Sequence, residues 1–223
     1  MIDIMQAITE RHSVRSYTAE PIEQAQRDEL QGLISDLNAQ SGLSMELVFD
    51  DPRAFEGGMA RYGNFSGVRN YLAIVGPKGT RLDESTGYFG EQVVLRAQQL
   101  GLNSCWVALT YSKGKVAADV PRGSKLACVV ALGHGTTPGI PRKSKQPEEV
   151  IRTRDEVIPE WFIDGVDAAL LAPTAMNQQK FVLELNGDTV AAIAGGGFYT
   201  KMDLGIVKLH FELGAGKENF RWA

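Results

Sequence analysis

The sequence predicts an α+β fold in which three or four helices pack on a mixed sheet, and three observations lead there. Apolar stripes at helical spacing recur, as Leu30, Leu33, Ile34 and Leu37 illustrate. Between them lie short, continuous apolar runs, such as YLAIV at 71–75, that read as buried strands. The two kinds of segment mix along the chain, and helices outnumber strands by residue count.

The first helix begins at Ile4: Ile4, Ala7 and Ile8 follow Asp3, a residue suited to capping a helix N-terminus. A polar, basic stretch from Glu10 to Tyr17 leads to Pro21, and the second helix carries the stripe already named. MELVF at 45–49 is a short strand closed by Asp50-Asp51-Pro52, and residues 52–70 read as loop or irregular helix. After the strand at 71–75, a third helix spans residues 86–100 with Phe89, Val93, Ala97 and Leu100 inward. Gly101 stands where a left-handed C-terminal cap belongs. Residues 105–109 form the next strand, 113–118 a short helix, and 125–132 a central strand that stops at Gly133-His134-Gly135. TTPGIPRKSKQPE at 136–148 is a linker rich in proline, glycine and cations. Phe162, Val166, Ala169 and Leu170 mark a fourth helix, 181–185 a strand, and 201–213 a last helix ending at Gly214.

The chain has 223 residues, 43% hydrophobic and 22% charged, which suits one large soluble domain or two small ones. Its 23 Lys and Arg against 27 Asp and Glu give a net charge of −4. That balance argues against a broad phosphate-neutralising face for nucleic acid. No run of about 18 apolar residues is present to span a membrane. The N-terminus lacks the basic and apolar regions of a secretory signal. Two cysteines, Cys105 and Cys128, without CxxC or metal-ligand spacing, predict reduced thiols in a cytoplasm and no metal site.

A weak internal repeat is also visible. Pro21 opens a helix whose strand begins at Met45, and Pro159 opens one whose strand begins at Phe181, an offset of 136 (181 − 45) that aligns Leu183 with Leu47. Leu213-Gly214 matches Leu100-Gly101 at an offset of 113 (213 − 100). The expectation is a first repeat over 1–150 and a shorter second repeat over 151–223.

Four segments can carry chemistry. Arg11-His12-Ser13-Val14-Arg15 concentrates two guanidiniums, an imidazole and a hydroxyl, a set able to hold one phosphate monoester. A solvated polar loop is the plainer alternative. Arg142-Lys143-Ser144-Lys145 is a second cationic group, by itself an ordinary charge run. In Pro173-Thr174-Ala175-Met176-Asn177, small side chains let the backbone approach a flat ligand, or simply make a helix-to-strand turn. Leu100-Gly101-Leu102-Asn103 is a tight helix-to-strand connection, and Cys105 beyond it reads as a core residue.

RHSVRSYTAEPI at 11–22, LGLNSCW at 100–106, PRKSKQPEEV at 141–150 and LLAPTAMNQQKFVLEL at 170–185 together resemble the nitroreductase family of flavin enzymes. That resemblance implies a mixed sheet flanked by helices, normally in an intertwined homodimer with FMN at the subunit interface. It places Arg11, His12, Ser13 and Arg15 against the phosphate, ribityl chain and O2/N1 side of the flavin. Arg142 and Lys143 fall on the phosphate, with Lys145 the alternative to Lys143, and Pro173, Thr174, Ala175 and Asn177 fall on the ring. Gly101 and Leu102 would touch the flavin's other side, and Tyr62-Gly63-Asn64 the ribityl chain or substrate. The implied activity passes electrons from NADH or NADPH to a small-molecule nitroaromatic or quinone-like acceptor by a ping-pong mechanism. Its chemistry lies at flavin N5, with no catalytic side chain, and Arg11 would stabilise the reduced flavin. Other chemistry on the same fold (reductive dehalogenation, flavin breakdown) and non-catalytic flavin storage stay open.

The pattern departs from the family in Thr174, which replaces the commoner serine, in Gln178-Gln179-Lys180, which replaces Gln-Pro-Trp, and in the placing of the turn. In ordinary members the Ala-Pro-Ser-x-x-Asn turn follows RxSxR by one helix, whereas LNAQSGL at 37–43 lacks the proline. The intact turn lies in the second repeat, which has no RxSxR. The expectation is a fused, monomeric pseudo-dimer with one FMN site between its own repeats.

Overall fold

A computed structural model describes residues 2–223. The expected helices form where the apolar periodicity is longest. α1 (Ile4–Glu10) is capped by the Asp3 carboxylate, which accepts the Gln6 N–H at 2.8 Å. α2 (Gln24–Ser41) buries Leu30, Ile34 and Leu37 and ends at Gly42 in the left-handed conformation. α4 (Leu82–Gln99), begun four residues earlier than the periodicity suggests, is followed by Gly101 at φ +80°. α5 (Glu160–Leu170) buries Phe162, Val166, Ala169 and Leu170, and α6 (Thr200–Ala215) is buried over most of its length. α3 (Gly58–Tyr62) is a single short helix inside the segment read as loop or irregular helix.

The α+β class stands, but the strands divide into two four-stranded sheets instead of one. The first, in the order β1-β2-β4-β3, is antiparallel throughout: β1 (Ser44–Val48), β2 (Asn70–Pro77), β3 (Asn103–Val107) and β4 (Ser124–Gly133). The second, in the order β5-β6-β7-β8, is mixed: β5 (Ile151–Thr153), β6 (Phe181–Asn186), β7 (Thr189–Ala194) and β8 (Arg221–Trp222). Both faces of the first sheet are buried. Tyr71, Ala73 and Val75 join Val129 and Ala131 on one, while Leu72 and Ile74 meet α2 and α4 on the other. The second sheet packs Leu183, Leu185 and Val190 against Phe162 and Val166 of α5 and Phe211 of α6. Among the described residues, no helix is long and apolar enough to cross a membrane.

α4 and α6 join the two halves at a reciprocal crossing. A Cβ on Gly87 of α4 would collide with the Met202 carbonyl oxygen, and one on Gly205 of α6 with the Glu84 carbonyl oxygen. The two contacts are related by one offset, 118 (205 − 87 and 202 − 84). The expected match of Leu213-Gly214 to a helix end fails, because α6 runs on to Ala215 and Gly214 lies against the Asp164 carbonyl. Gly205→Val therefore drives a branched side chain into backbone, and we expect it to lower stability by about 3 kcal/mol, read from urea unfolding.

Candidate functional site

Residues 11–18 leave α1 in an extended path across the ends of the first sheet. The Val14 N–H donates to Ser104 O (3.0 Å) and the Thr18 N–H to His134 O (2.8 Å), while Ser16 O accepts from the Thr136 N–H (2.9 Å). The loop holding Ser66 flanks the segment, its N–H donating to Arg15 O at 2.9 Å. Val14 and Tyr17 are buried, and the Tyr17 hydroxyl donates to Val14 O at 2.8 Å. Ser13, Arg15 and Ser16 are thereby held on the wall of a cavity of about 490 Å³.

Two further segments close that cavity. Thr136, Thr137, Gly139, Ile140 and Arg142 come from the crossover after β4. Pro173, Thr174, Met176 and Asn177 come from the turn after α5. The segments are tied together. The Asn177 Nδ2–H donates to Lys143 O (2.7 Å), the Lys145 N–H to Gln179 Oε1 (2.8 Å), and the Lys145 ammonium to Gln179 O (2.9 Å). Lys145 is thus engaged in holding the turn, while Lys143 is exposed.

The turn itself is strained. Met176 (φ +53°), Asn177 (φ +53°) and Gln179 (φ +44°) are all left-handed, a conformation that costs a non-glycine residue roughly 1–2 kcal/mol. Hydrogen bonds hold it there. Gln179, 2% exposed, donates its N–H to Thr174 Oγ1 (3.1 Å) and its amide Nε2–H to Leu170 O (2.9 Å). Asp203 of α6 accepts the Ala175 N–H at Oδ1 (2.9 Å) and the Gln178 Nε2–H at Oδ2 (2.7 Å). Burial pushes the Asp203 carboxyl up to about 6, against the opposing pull of those two donors.

The cavity wall is cationic. Its lining includes Arg15 and Arg142 and no carboxylate. Burial, then the neighbouring Arg11, push the Arg142 guanidinium down to about 10, and its Nε is buried without a hydrogen-bond partner. Burial, then Arg11 and Arg142, push His12 below its usual range.

Arg11 is 1% exposed, and all three of its guanidinium nitrogens lack a hydrogen-bond partner. Its counter-charge is Glu91 of α4, Nε to Oε1 at 3.8 Å. Glu91 also accepts the Trp106 Nε1–H at Oε2 (2.7 Å) and meets His210 Nε2 at Oε1 (3.0 Å), while His210 Nδ1 meets Ala168 O at 3.1 Å. Arg11, Glu91 and His210 thereby form one buried polar group that links the end of α1 to α4 and α6.

Of the residues singled out in the sequence, Ser13, Arg15, Arg142, Pro173, Thr174 and Asn177 come together on one cavity. Arg11, His12, Lys143 and Ala175 adjoin it without lining it. Gly101 is exposed at the end of α4 and Leu102 is fully buried in the core beside α2, so neither reaches the cavity. Tyr62, 80% exposed on α3, does not line it either. Sequence reasoning missed Ile140 and Met176, the exposed apolar side chains of the lining, and Asp203, Glu91 and His210 behind it.

A two-sheet α+β fold with a cationic cavity between an RxSxR segment and a Pro-Thr-x-x-Asn turn defines a class of protein, and comparison identifies that class. The family profile described as "Putative TM nitroreductase" matches residues 3–215. The chain belongs to this nitroreductase family. No curated protein matches it in sequence. The fold is shared with a crystal structure of a "putative nitroreductase" from Thermotoga maritima (TM-score 0.72, 21% identity, covering 97% of this chain and 85% of that one). A protein of the same description from Desulfovibrio desulfuricans, solved in complex with FMN, matches with TM-score 0.52 and 19% identity over 71% of this chain and 99% of its own. A nitroreductase family protein from Streptococcus pneumoniae matches with TM-score 0.55 and 11% identity over 68% of this chain and 100% of its own.

Proposed function

We propose that this chain is a cytoplasmic, FMN-dependent oxidoreductase. It passes electrons from NADH or NADPH to nitroaromatic or quinone-like acceptors in a ping-pong cycle, and it builds one flavin site between its own two halves. The observation that carries this reading is the cavity, because a single chain brings the RHSVR segment, Arg142 and the PTAMN turn onto it.

The residues suit FMN. The volume lies within the roughly 300–1,000 Å³ of sites for molecules of this size. Two guanidiniums, one with a buried donor lacking a partner, face the space without an opposing carboxylate, as a phosphate requires. Ile140, Pro173 and Met176 add apolar surface for a flat ring. When bound there, FMN supplies the two-electron redox chemistry. The protein's part is placement and charge. Ser13 and Arg142 would hold the phosphate and Arg15 the polar edge of the ring, while Pro173, Thr174 and Asn177 line its face. Arg11, buried behind the cavity and close enough to act on Arg142, adds a further cation that favours a bound anion through space.

Three observations favour a fused pseudo-dimer. Apart from the segment holding the short α3 between β1 and β2, the order α2-β1-β2-α4 recurs as α5-β6-β7-α6, each with an antiparallel strand pair at its middle. The α4–α6 crossing is reciprocal. Complete chains of the Desulfovibrio and Streptococcus proteins fit within 68–71% of this one. The cytoplasmic assignment rests on Cys105 and Cys128, both free and buried.

The test is bound FMN per chain on flavin-saturated protein, sized by light scattering. One flavin per 24.3 kDa monomer is expected. Absence of flavin binding overturns the flavin reading, and a dimer whose flavins touch Asn177 of the other chain overturns the fused site. Retained FMN without NADH or NADPH oxidation, whatever the acceptor, leaves a flavin-binding protein in place of an enzyme.

A further inference from the structure

Asp203 lies in the first turn of α6, 7% exposed, and forms no ion pair among the described residues. Its partners are two donors of the PTAMN turn, the Ala175 N–H and the Gln178 amide. Burying a carboxylate is costly, and a neutral side chain would cap one backbone N–H without that cost. The second contact explains the acid. Gln178 uses the same Nε2 to donate to Phe198 O (2.9 Å), so its amide bridges the turn to the start of α6. Between the two anchored residues lie Met176 and Asn177, both left-handed. An isolated turn would relax them, and anchors on either side prevent it.

We infer that Asp203 is a positioning residue: its carboxylate fixes the Ala175–Gln178 turn in the left-handed conformation that presents Thr174, Met176 and Asn177 to the cavity. This rests on the flavin reading above for the identity of the ligand. Asp203 itself does not line the cavity, and acts only through the turn.

The test is FMN titration of the full chain by fluorescence quenching, with the visible spectrum of the bound flavin recorded alongside. Asp203→Asn leaves one oxygen for two donors, so its N–H₂ opposes either the Ala175 N–H or the Gln178 amide, while Gln178→Ala deletes the Asp203 contact together with the bond to Phe198 O and leaves α6 unaltered. Each is expected to raise the FMN Kd about tenfold and to alter the bound-flavin bands. The double variant should lose less than the sum of the two single losses, because losing either anchor already frees the turn. Should Asp203→Asn fail to fold, Gln178→Ala by itself must still show the loss and the spectral change. If the unaltered protein binds FMN and the variants bind it within twofold with the same spectrum, the assignment to Asp203 fails and the flavin reading stands. Additive losses in the double variant also overturn it. If the unaltered protein binds no FMN, both fall together.

Discussion

Glu91→Leu should lower folding stability by about 3–5 kcal/mol, the range for breaking a buried ion pair from one side. Glu91 is fully buried and serves three elements at once, through Arg11 after α1, Trp106 of β3 and His210 of α6. Without it, the Arg11 guanidinium keeps its charge with no hydrogen-bond partner and no counter-ion. The Trp106 N–H and one nitrogen of His210 are stranded as well. Chemical denaturation measures the loss. Arg11→Met combined with Glu91→Leu should cost less than Glu91→Leu alone, because removing both charges together leaves neither uncompensated. A double variant at least as unstable as the single one would mean that Trp106 and His210, not Arg11, account for the cost. Arg11→Met by itself separates two roles. Unchanged FMN affinity makes Arg11 a structural cation, while weakened affinity makes it part of the electrostatic floor of the site.

Arg11 also marks where sequence reasoning reaches its limit. Its closeness to Ser13 and Arg15 suggested one shared ligand, yet it caps α1 and its side chain is buried toward Glu91, whereas Arg15 is exposed. A count along the chain does not distinguish these directions, because Arg11 stands at the point where the helix gives way to extended backbone. The helices were legible from their long apolar stripes, and β2 and β4 from continuous apolar runs. β5 and β8, three and two residues long, carry no pattern of their own. β7 reads TVAAIA, too poor in bulky side chains to announce itself, although the Asn186-Gly187-Asp188 before it is turn chemistry. The division into two sheets was invisible for a different reason: periodicity says what a strand buries, not which strand it pairs with.

The site shows the same split. Both cavity-lining motifs were readable, because clustered guanidiniums and a Pro-Thr-Ala-Met-Asn turn are unusual compositions. The residues that hold them were not. Asp203 and Glu91 are single acids on helices, 28 and 119 residues from the partners Ala175 and His210. Nothing local distinguishes them from the solvated acids that surround them in the sequence.

Arg142→Glu should abolish measurable FMN binding, with a loss of at least two orders of magnitude in affinity. Arg142 is the cavity-lining cation with a buried, unpartnered nitrogen, and burial together with Arg11 makes its charge costly in the folded chain. Such an arrangement destabilises the protein alone and is offset when an anion arrives, since a charge-assisted hydrogen bond to a charged group contributes about 1.5–3 kcal/mol. Removing that bond and setting a carboxylate against a phosphate exceeds either loss singly. Arg142→Ala separates the two sides of the argument. It removes the desolvated charge and its repulsion with Arg11, so the flavin-free protein should gain about 1 kcal/mol in stability while FMN affinity falls by roughly 10- to 150-fold. Thermal melts of flavin-free protein and FMN titrations on the same preparation read both quantities. A fall in affinity with a parallel fall in stability would make Arg142 a packing residue. Opposite changes would show that the fold carries an uncompensated cation at this point because a bound anion needs it there.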